Sequence, residues 1–223
     1  MNSLNTLKLT NEFAPGYDNY ISERNWLGPE IIFNLMKPFV RKGDSLLDIG
    51  MGTGAASIPF KNAGLKIYGI DGSEEMIRLC NKKAIAEDIV FSDLANHDLQ
   101  FPDIEFDHII SNAVFHLIGD FEHIVKKASK HLKTPGYFCF TTFPMEAKYL
   151  DSFIETETPG LYSMKNNDSG FFVYRHSTEH VKNLLSSNSF ELLNNFIFMG
   201  MDNQIENQKV YFEVFLSRKV NES

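Results

Sequence analysis

The chain has 223 residues, 43% apolar and 22% charged, which suits one globular domain with a sizeable core of its own. Two cysteines, Cys80 and Cys139, are too few and too far apart for a disulfide framework or a zinc knuckle. Residues 1–15 carry no basic stretch followed by an apolar one, so a reducing, cytoplasmic setting is expected. No run reaches the ~18 apolar residues of a membrane span, and a net charge of −8 with scattered lysines excludes a surface built to hold a phosphate backbone.

In chain order, Phe13 to Trp26 is aromatic and polar, and Pro29 to Arg41 has the spacing of an amphipathic helix. From Ser45 onward, short apolar runs alternate with helical patterns, the signature of βαβ units in a parallel sheet. Ser45–Ile49 is the first strand, followed by Gly50-Met-Gly-Thr-Gly54 and a short helix to Asn62 whose regular start Pro59 should delay or bend. Lys66–Ile70 is the second strand. Ser73 then caps a helix to about Lys83, with Glu74 and Glu75 in its favourable first turn. Ile89–Phe91 is a third, short strand, and a loop from Asp93 to Glu105 leads to a fourth over Phe106–Ser111. Asp120 opens a helix to about His131, Pro135-Gly136 ends the crossover, and Gly136–Phe143 is the fifth strand. Residues 145–175, with turn signals at Pro159-Gly160 and Asn166–Gly170 and no long period, read as an insertion over one sheet edge. A helix over Thr178–Asn188 precedes two strands, Phe190–Met199 and Lys209–Lys219, joined by the polar loop 200–208 as an antiparallel hairpin.

A glycine-rich turn between a first strand and its helix brings backbone close to a ligand and aims helix N–H groups at it. Asp71, at the end of the second strand and 21 residues after Gly50, is placed to accept bonds from both hydroxyls of a ribose. Together they indicate a nucleoside-bearing cofactor. Gly50, Gly52 and Ala55 also satisfy the dinucleotide fingerprint, so charge has to discriminate. Asp48, two residues before the first glycine, would repel a pyrophosphate but suits the ammonium and sulfonium of S-adenosylmethionine.

Leu47-Asp-Ile-Gly-Met-Gly-Thr-Gly54 resembles the first motif of the class I S-adenosylmethionine-dependent methyltransferases. Tyr68-Gly-Ile-Asp-Gly-Ser-Glu-Glu-Met76 is similar to that family's second motif, Ser92-Asp-Leu94 to its third-strand acid, and Phe101-Pro-Asp with Phe106-Asp107 to its run into strand four. Asn112-Ala-Val-Phe-His116 and Pro135-Gly-Tyr137 match later landmarks, so the similarity runs roughly from Tyr17 to Arg218. The resemblance implies a Rossmann-like, doubly wound α/β fold: a mostly parallel seven-stranded sheet ending in an antiparallel hairpin strand. It also implies that Gly50, Gly52 and Gly54 line the methionyl moiety, that Asp71 binds the ribose, and that Asp93 accepts from the adenine amino group. Gly72, Met76 and Leu94 would pack on the base, and Asn112 and Ala113 would lie near the transferring methyl. One domain is expected over 1–223, with an N-terminal helical lid over 1–41 and a cap over 145–175.

A sulfonium methyl is already activated, so the main task is to align a small-molecule acceptor behind it and exclude water. If a base is used, His116 and Tyr20 are the candidates, with Tyr17, Trp26, Tyr174 and His176 at the acceptor. The aromatic cap residues Phe153, Tyr162, Phe171, Phe172 and Tyr174 could close that pocket together with Phe13 to Trp26. His176-Ser-Thr-Glu-His180 matches a zinc-protease pattern, but a cap at Ser177 or Thr178 leaves His176 outside the helix, and no metal is expected. A nicotinamide oxidoreductase and a noncatalytic module that binds S-adenosylmethionine stay as alternatives. No nucleic-acid or membrane partner is expected, and the chain should be a monomer or homodimer.

Overall fold

A computed structural model describes residues 3–96, 100–101, 103–166, 171–203 and 208–221. Parts of three sequence-predicted loops, at 97–99 and 102, 167–170 and 204–207, lie outside them. The chain folds around a seven-stranded sheet. Its strands are β1 (Ser45–Ile49), β2 (Lys66–Asp71), β3 (Asp88–Phe91), β4 (Phe106–Ser111), β5 (Leu132–Thr142), β9 (Phe190–Asn203) and β10 (Gln208–Lys219), in the order β3-β2-β1-β4-β5-β10-β9. The first five run parallel to one another, and β10 pairs antiparallel with both β5 and β9.

Both faces of this sheet are covered, which is why its central strands read as nearly continuous apolar runs. Side chains alternate between two cores: Leu46, Ile110, Cys139 and Val214 point one way, while Leu47, Ile109, Phe138, Phe140 and Phe215 point the other. The first face packs on α3 (Gly28–Met36), α4 (Ile58–Asn62) and α5 (Glu74–Lys82), through Ile32, Met36, Phe60 and Cys80. The second packs on α7 (Glu122–His131) and α8 (Thr178–Ser186), through Ile124, Val125, Ala128, Val181 and Leu185. Among the described residues no helix is long and apolar enough to cross a membrane.

Local chemistry explains the boundaries. Ser73 and Ser177 cap α5 and α8, each hydroxyl accepting from an N–H three residues on, at Met76 and His180. Pro59 has the expected effect: residues 54–57 form turns, and helix α4 starts only at Ile58. The helix read to Arg41 stops at Met36, because Pro38 lacks an N–H. The helix read from Asp120 is α7, which starts at Glu122, whose N–H donates to Asp120 Oδ1 at 3.0 Å; a short helix that the sequence did not announce, α6 (Phe115–Ile118), precedes it across a break at Gly119. Strand β5 begins at Leu132 rather than Gly136, since Leu132 is buried opposite Phe106.

The 145–175 insertion has regular structure that its sequence does not announce. Strands β6 (Phe153–Glu155), β7 (Leu161–Met164) and β8 (Tyr174–His176) form a separate antiparallel sheet, tied back to the end of β5 by a bridge between Pro144 and His176. At the other end of the chain, α1 (Ser3–Phe13) and α2 (Tyr17–Glu23) precede α3.

Candidate active site

The cavity opens at the carboxyl ends of β1, β2, β3 and β4, where an open α/β sheet places its ligands. Its floor is the glycine loop. Gly50 and Gly52 have φ of +73° and +55°, conformations that a side chain would strain. At Gly50 a Cβ would also stand 2.4 Å from Val114, while at Gly52 it would meet Met76 Sδ at an ordinary 3.9 Å. The N–H groups of Gly50 and Met51 both donate to the Ile70 carbonyl, at 2.8 and 3.1 Å, which fastens the loop to β2.

Asp71 organises the loop further. Its Oδ2 accepts from Gly52 N–H at 2.7 Å and its Oδ1 from Ser73 N–H at 2.8 Å. Burial pushes this carboxyl above its ordinary range, and the backbone donors of Ser73, Gly52 and Gly72 oppose the shift. Asp48 is more extreme. It is 1% exposed, Oδ2 accepts from Ser57 Oγ at 2.7 Å, and Oδ1 has no partner. Burial, reinforced by the charge of Asp71, pushes its pKa up to about 7. A carboxylate oxygen held beside a cavity in this way can meet a cation or a strong donor.

Gly72, Met76, Asp93 and Leu94 line the adjoining wall, where a Cβ on Gly72 would meet Leu7 at 2.8 Å. Asp93 Oδ1 accepts from Ala95 N–H at 3.0 Å and holds that turn. On the β4 side, Ala113 has φ +59° and is held there by its N–H donating to Thr141 Oγ1 at 2.8 Å. Strained non-glycine backbone of this kind concentrates where a chain must present groups to a ligand.

The N-terminal helices close the top. Thr6, Leu7 and Thr10 of α1, Tyr17 of α2 and Trp26 all line the cavity. Two latches hold them down. Asp18 accepts from Thr53 Oγ1 at 2.6 Å and pairs with Lys83 Nζ at 2.6 Å, and Lys83 also donates to the Thr53 carbonyl. Asn11 Oδ1 accepts from Ser73 Oγ at 2.7 Å and from Glu75 N–H at 3.1 Å. Tyr17 is held well above its ordinary pKa by burial and by the carboxylates of Asp18, Asp71 and Asp48, so its hydroxyl stays protonated.

Of the residues singled out in the sequence, Asp48, Gly50, Gly52, Asp71, Gly72, Met76, Asp93, Leu94, Asn112, Ala113, Tyr17 and Trp26 line this one cavity. Five do not. Gly54 packs against Ile85 and Cys80 behind the loop. Tyr20 lies on the outer side of α2, edge-on to Phe13 and under the Arg24 guanidinium. His116 is buried, stacked on Phe143 at 4.1 Å, and burial drives its pKa down to about 3, so it is a neutral packing ring. His176 is buried with Nε2 2.8 Å from the Gly119 carbonyl, its pKa pushed down to about 4 by burial, and Tyr174 packs against Gly119. The cap therefore braces the α6–α7 corner and, among its described residues, contributes none to the cavity lining. His176 and His180 stack at 5.9 Å, with His176 ending β8 and His180 inside α8. Among the described residues no three His, Cys, Asp or Glu are arranged to hold a metal.

Sequence reasoning missed Thr6, Leu7 and Thr10, whose spacing puts them on one face of a helix, and the apolar Val114, Leu117 and Ile118 of the segment after β4. That face was legible as helical, but nothing local said what it covers.

Residues 47–140 match the family model described as a methyltransferase domain. Over 140 residues the chain is 34% identical to a malonyl-[acyl-carrier protein] O-methyltransferase of Priestia megaterium, covering 61% of this chain and 50% of that protein. The chain thus spans about half the length of that curated relative. Its fold superposes on a SAM-dependent methyltransferase from Methanosarcina mazei with a TM-score of 0.68 at 21% identity, covering 84% of this chain and 98% of the other. It also superposes on an S-adenosylmethionine-dependent methyltransferase from Clostridium acetobutylicum with a TM-score of 0.66 at 16% identity, covering 95% and 99%. The chain thus matches a methyltransferase domain over residues 47–140 and shares the fold of S-adenosylmethionine-dependent methyltransferases.

Proposed function

We propose that this chain transfers the sulfonium methyl of S-adenosylmethionine to a small-molecule acceptor by in-line displacement. The observation that carries the reading is the pair of buried carboxylates at the glycine loop, Asp71 bonded to the loop backbone and Asp48 with one oxygen unpartnered. This donor set fits the cofactor. Asp71 has lone pairs left for two ribose hydroxyls, and Asp48 can meet an ammonium or sulfonium. Gly72, Met76 and Leu94 offer a flat apolar slot for adenine, Asp93 an acceptor for its amino group, and Asn112 and Ala113 flank the methionyl end. A dinucleotide's pyrophosphate would instead meet two carboxylates and, among the described lining residues, no basic side chain.

When bound, the cofactor supplies a methyl group already activated by its sulfonium. The chain's own residues then position and shield. The lid of α1 and α2 excludes water, Trp26 and Asn112 border the acceptor, and alignment carries most of the rate. In this reading residues 1–223 act as one domain with a lid over 1–41 and a cap over 145–175, in the cytoplasm, as a monomer or homodimer, on a diffusible metabolite. A thermal-shift series tests it. S-adenosylhomocysteine at 100 times its dissociation constant should stabilise the fold by about 2.7 kcal/mol, and NAD should not. NAD raising the melting temperature with no response to S-adenosylhomocysteine would overturn the assignment.

A further inference from the structure

The cavity's charge and the missing base together constrain the acceptor. Its ionisable lining residues, among those described, are Asp48, Asp71, Asp93 and Tyr17; no lysine, arginine, histidine or cysteine borders it. The nearby cations are engaged elsewhere: Lys83 by Asp18 and the Thr53 carbonyl, and Arg175 by the Pro144 carbonyl and the Tyr149 ring at 3.2 Å.

The acceptor's end of the cavity is built rigidly. The indole of Trp26 is wedged between two glycines: a Cβ would stand 2.2 Å from it at Gly28 and 2.4 Å at Gly200. Phe212 backs it at 4.8 Å. The Gly28 position also touches Asn112 Oδ1, at 2.6 Å from that same Cβ, so indole and amide adjoin. Thr141 Oγ1 donates to Asn112 Oδ1 at 3.5 Å, leaving the amide N–H groups with no partner among the described residues.

We infer that the acceptor is an uncharged nitrogen nucleophile on a flat apolar body, seated on Trp26 beside Asn112. The inference rests on the methyltransferase reading above and goes beyond it by elimination. A carboxylate, phosphate or enolate would enter already anionic and find carboxylates and no counter-charge. A hydroxyl or thiol must lose a proton as the methyl arrives and so needs a base. Tyr17 is held protonated, both Asp71 oxygens carry backbone N–H groups, and Asp48 is assigned to the cofactor's cationic groups. An amine-type nitrogen needs neither device. Its lone pair forms the N–C bond while the C–S bond breaks and leaves its electron pair on sulfur. The positive charge passes from sulfur to nitrogen inside an acid-lined cavity, and the methylated ammonium gives up its proton to water after transfer.

Trp26 is the chain's single tryptophan, so its emission reports on this end of the cavity. With the protein saturated in S-adenosylhomocysteine, 2-naphthylamine and 2-naphthoate are titrated against that emission. 2-Naphthylamine should bind at least 10-fold more tightly, and labelled methyl from S-adenosylmethionine should pass to it and not to 2-naphthol. Naphthoate binding as tightly as the amine, or label appearing on naphthol, would overturn the inference. Binding of S-adenosylhomocysteine with no response of Trp26 to either probe would remove the acceptor from this wall. Failure to bind S-adenosylhomocysteine in a calorimetric control would instead bring down the underlying methyltransferase reading.

Discussion

Asp71 does two jobs that a sequence motif cannot separate. Its carboxylate is the candidate ribose acceptor, and it also receives the Gly52 and Ser73 N–H groups that shape the loop. Asp71→Asn puts an amide nitrogen against one of those donors. It should therefore cost about 1–3 kcal/mol of S-adenosylhomocysteine affinity by calorimetry and also lower the melting temperature. Asp48 makes a pH prediction. Its folded pKa, about 7, lies above its ordinary value of 3.8, so the folded state binds more protons than the unfolded one between roughly pH 4 and 7. Its contribution to stability is fully present below that window and is lost as pH rises through it. Asp48→Asn should flatten the slope in denaturant melts at pH 5 and pH 7.5. A cationic cofactor favours the ionised carboxylate, so S-adenosylmethionine should release a proton on binding near pH 6, seen as calorimetric heats that vary with the buffer's ionisation enthalpy. His116 marks where residue-level reading overreached. Its place after strand four suggested a base, but its ring stacks on Phe143 with Nδ1 buried and unpartnered. His116→Phe should keep that stacking, hold the melting temperature within a few degrees and leave methyl transfer unchanged, whereas a loss of turnover would restore a catalytic role.

Among the elements, the lid is the one poised to move. Helices α1 and α2 are fastened to the glycine loop and to α5 by the Asp18 and Asn11 latches. The Asp18–Lys83 pair is partly solvated, with side chains 49% and 31% exposed, so it holds the lid by only about 0.5–1 kcal/mol. Asp18→Asn should accordingly speed S-adenosylhomocysteine dissociation about 2- to 5-fold in stopped-flow, and the wild-type rate should rise with salt while the variant's changes less. An unchanged rate would mean that the lid opens without breaking this pair. The cap shows a different lesson. Its strands are three or four residues long, too short for a periodic signal, and they form because β7 finds partners on both sides and His176 finds the Gly119 carbonyl 57 residues away. Aromatic composition suggested an acceptor cover there; the packing makes it a brace.

Over the whole molecule, neither core cluster contains a residue before Ile31, so the sheet does not depend on α1 and α2, whereas α3, within the same 1–41 segment, packs Ile32 and Met36 into the core. A chain lacking residues 1–23 should still melt cooperatively, a few degrees below the full chain, while its affinity for S-adenosylhomocysteine falls at least 10-fold. Loss of the cooperative transition would show that the lid is part of the core. The sheet was legible because its signals are local: alternation of strand and helix patterns, serine caps, the glycine turn with Asp48 before it and Asp71 after it. Those signals depend on neighbours within a few residues or on one βαβ unit, so the sequence by itself determined the family resemblance, the parallel βαβ pattern and the acid-lined loop. Contacts between distant segments are different, because their energy depends on geometry that no local pattern encodes. Only the tertiary structure decided that Leu7 lies over Gly72, that Asn112 adjoins Trp26, and that His116, Tyr20, Tyr174 and His176 face away from the cavity, since burial and packing, not residue type, set which side chains meet a ligand.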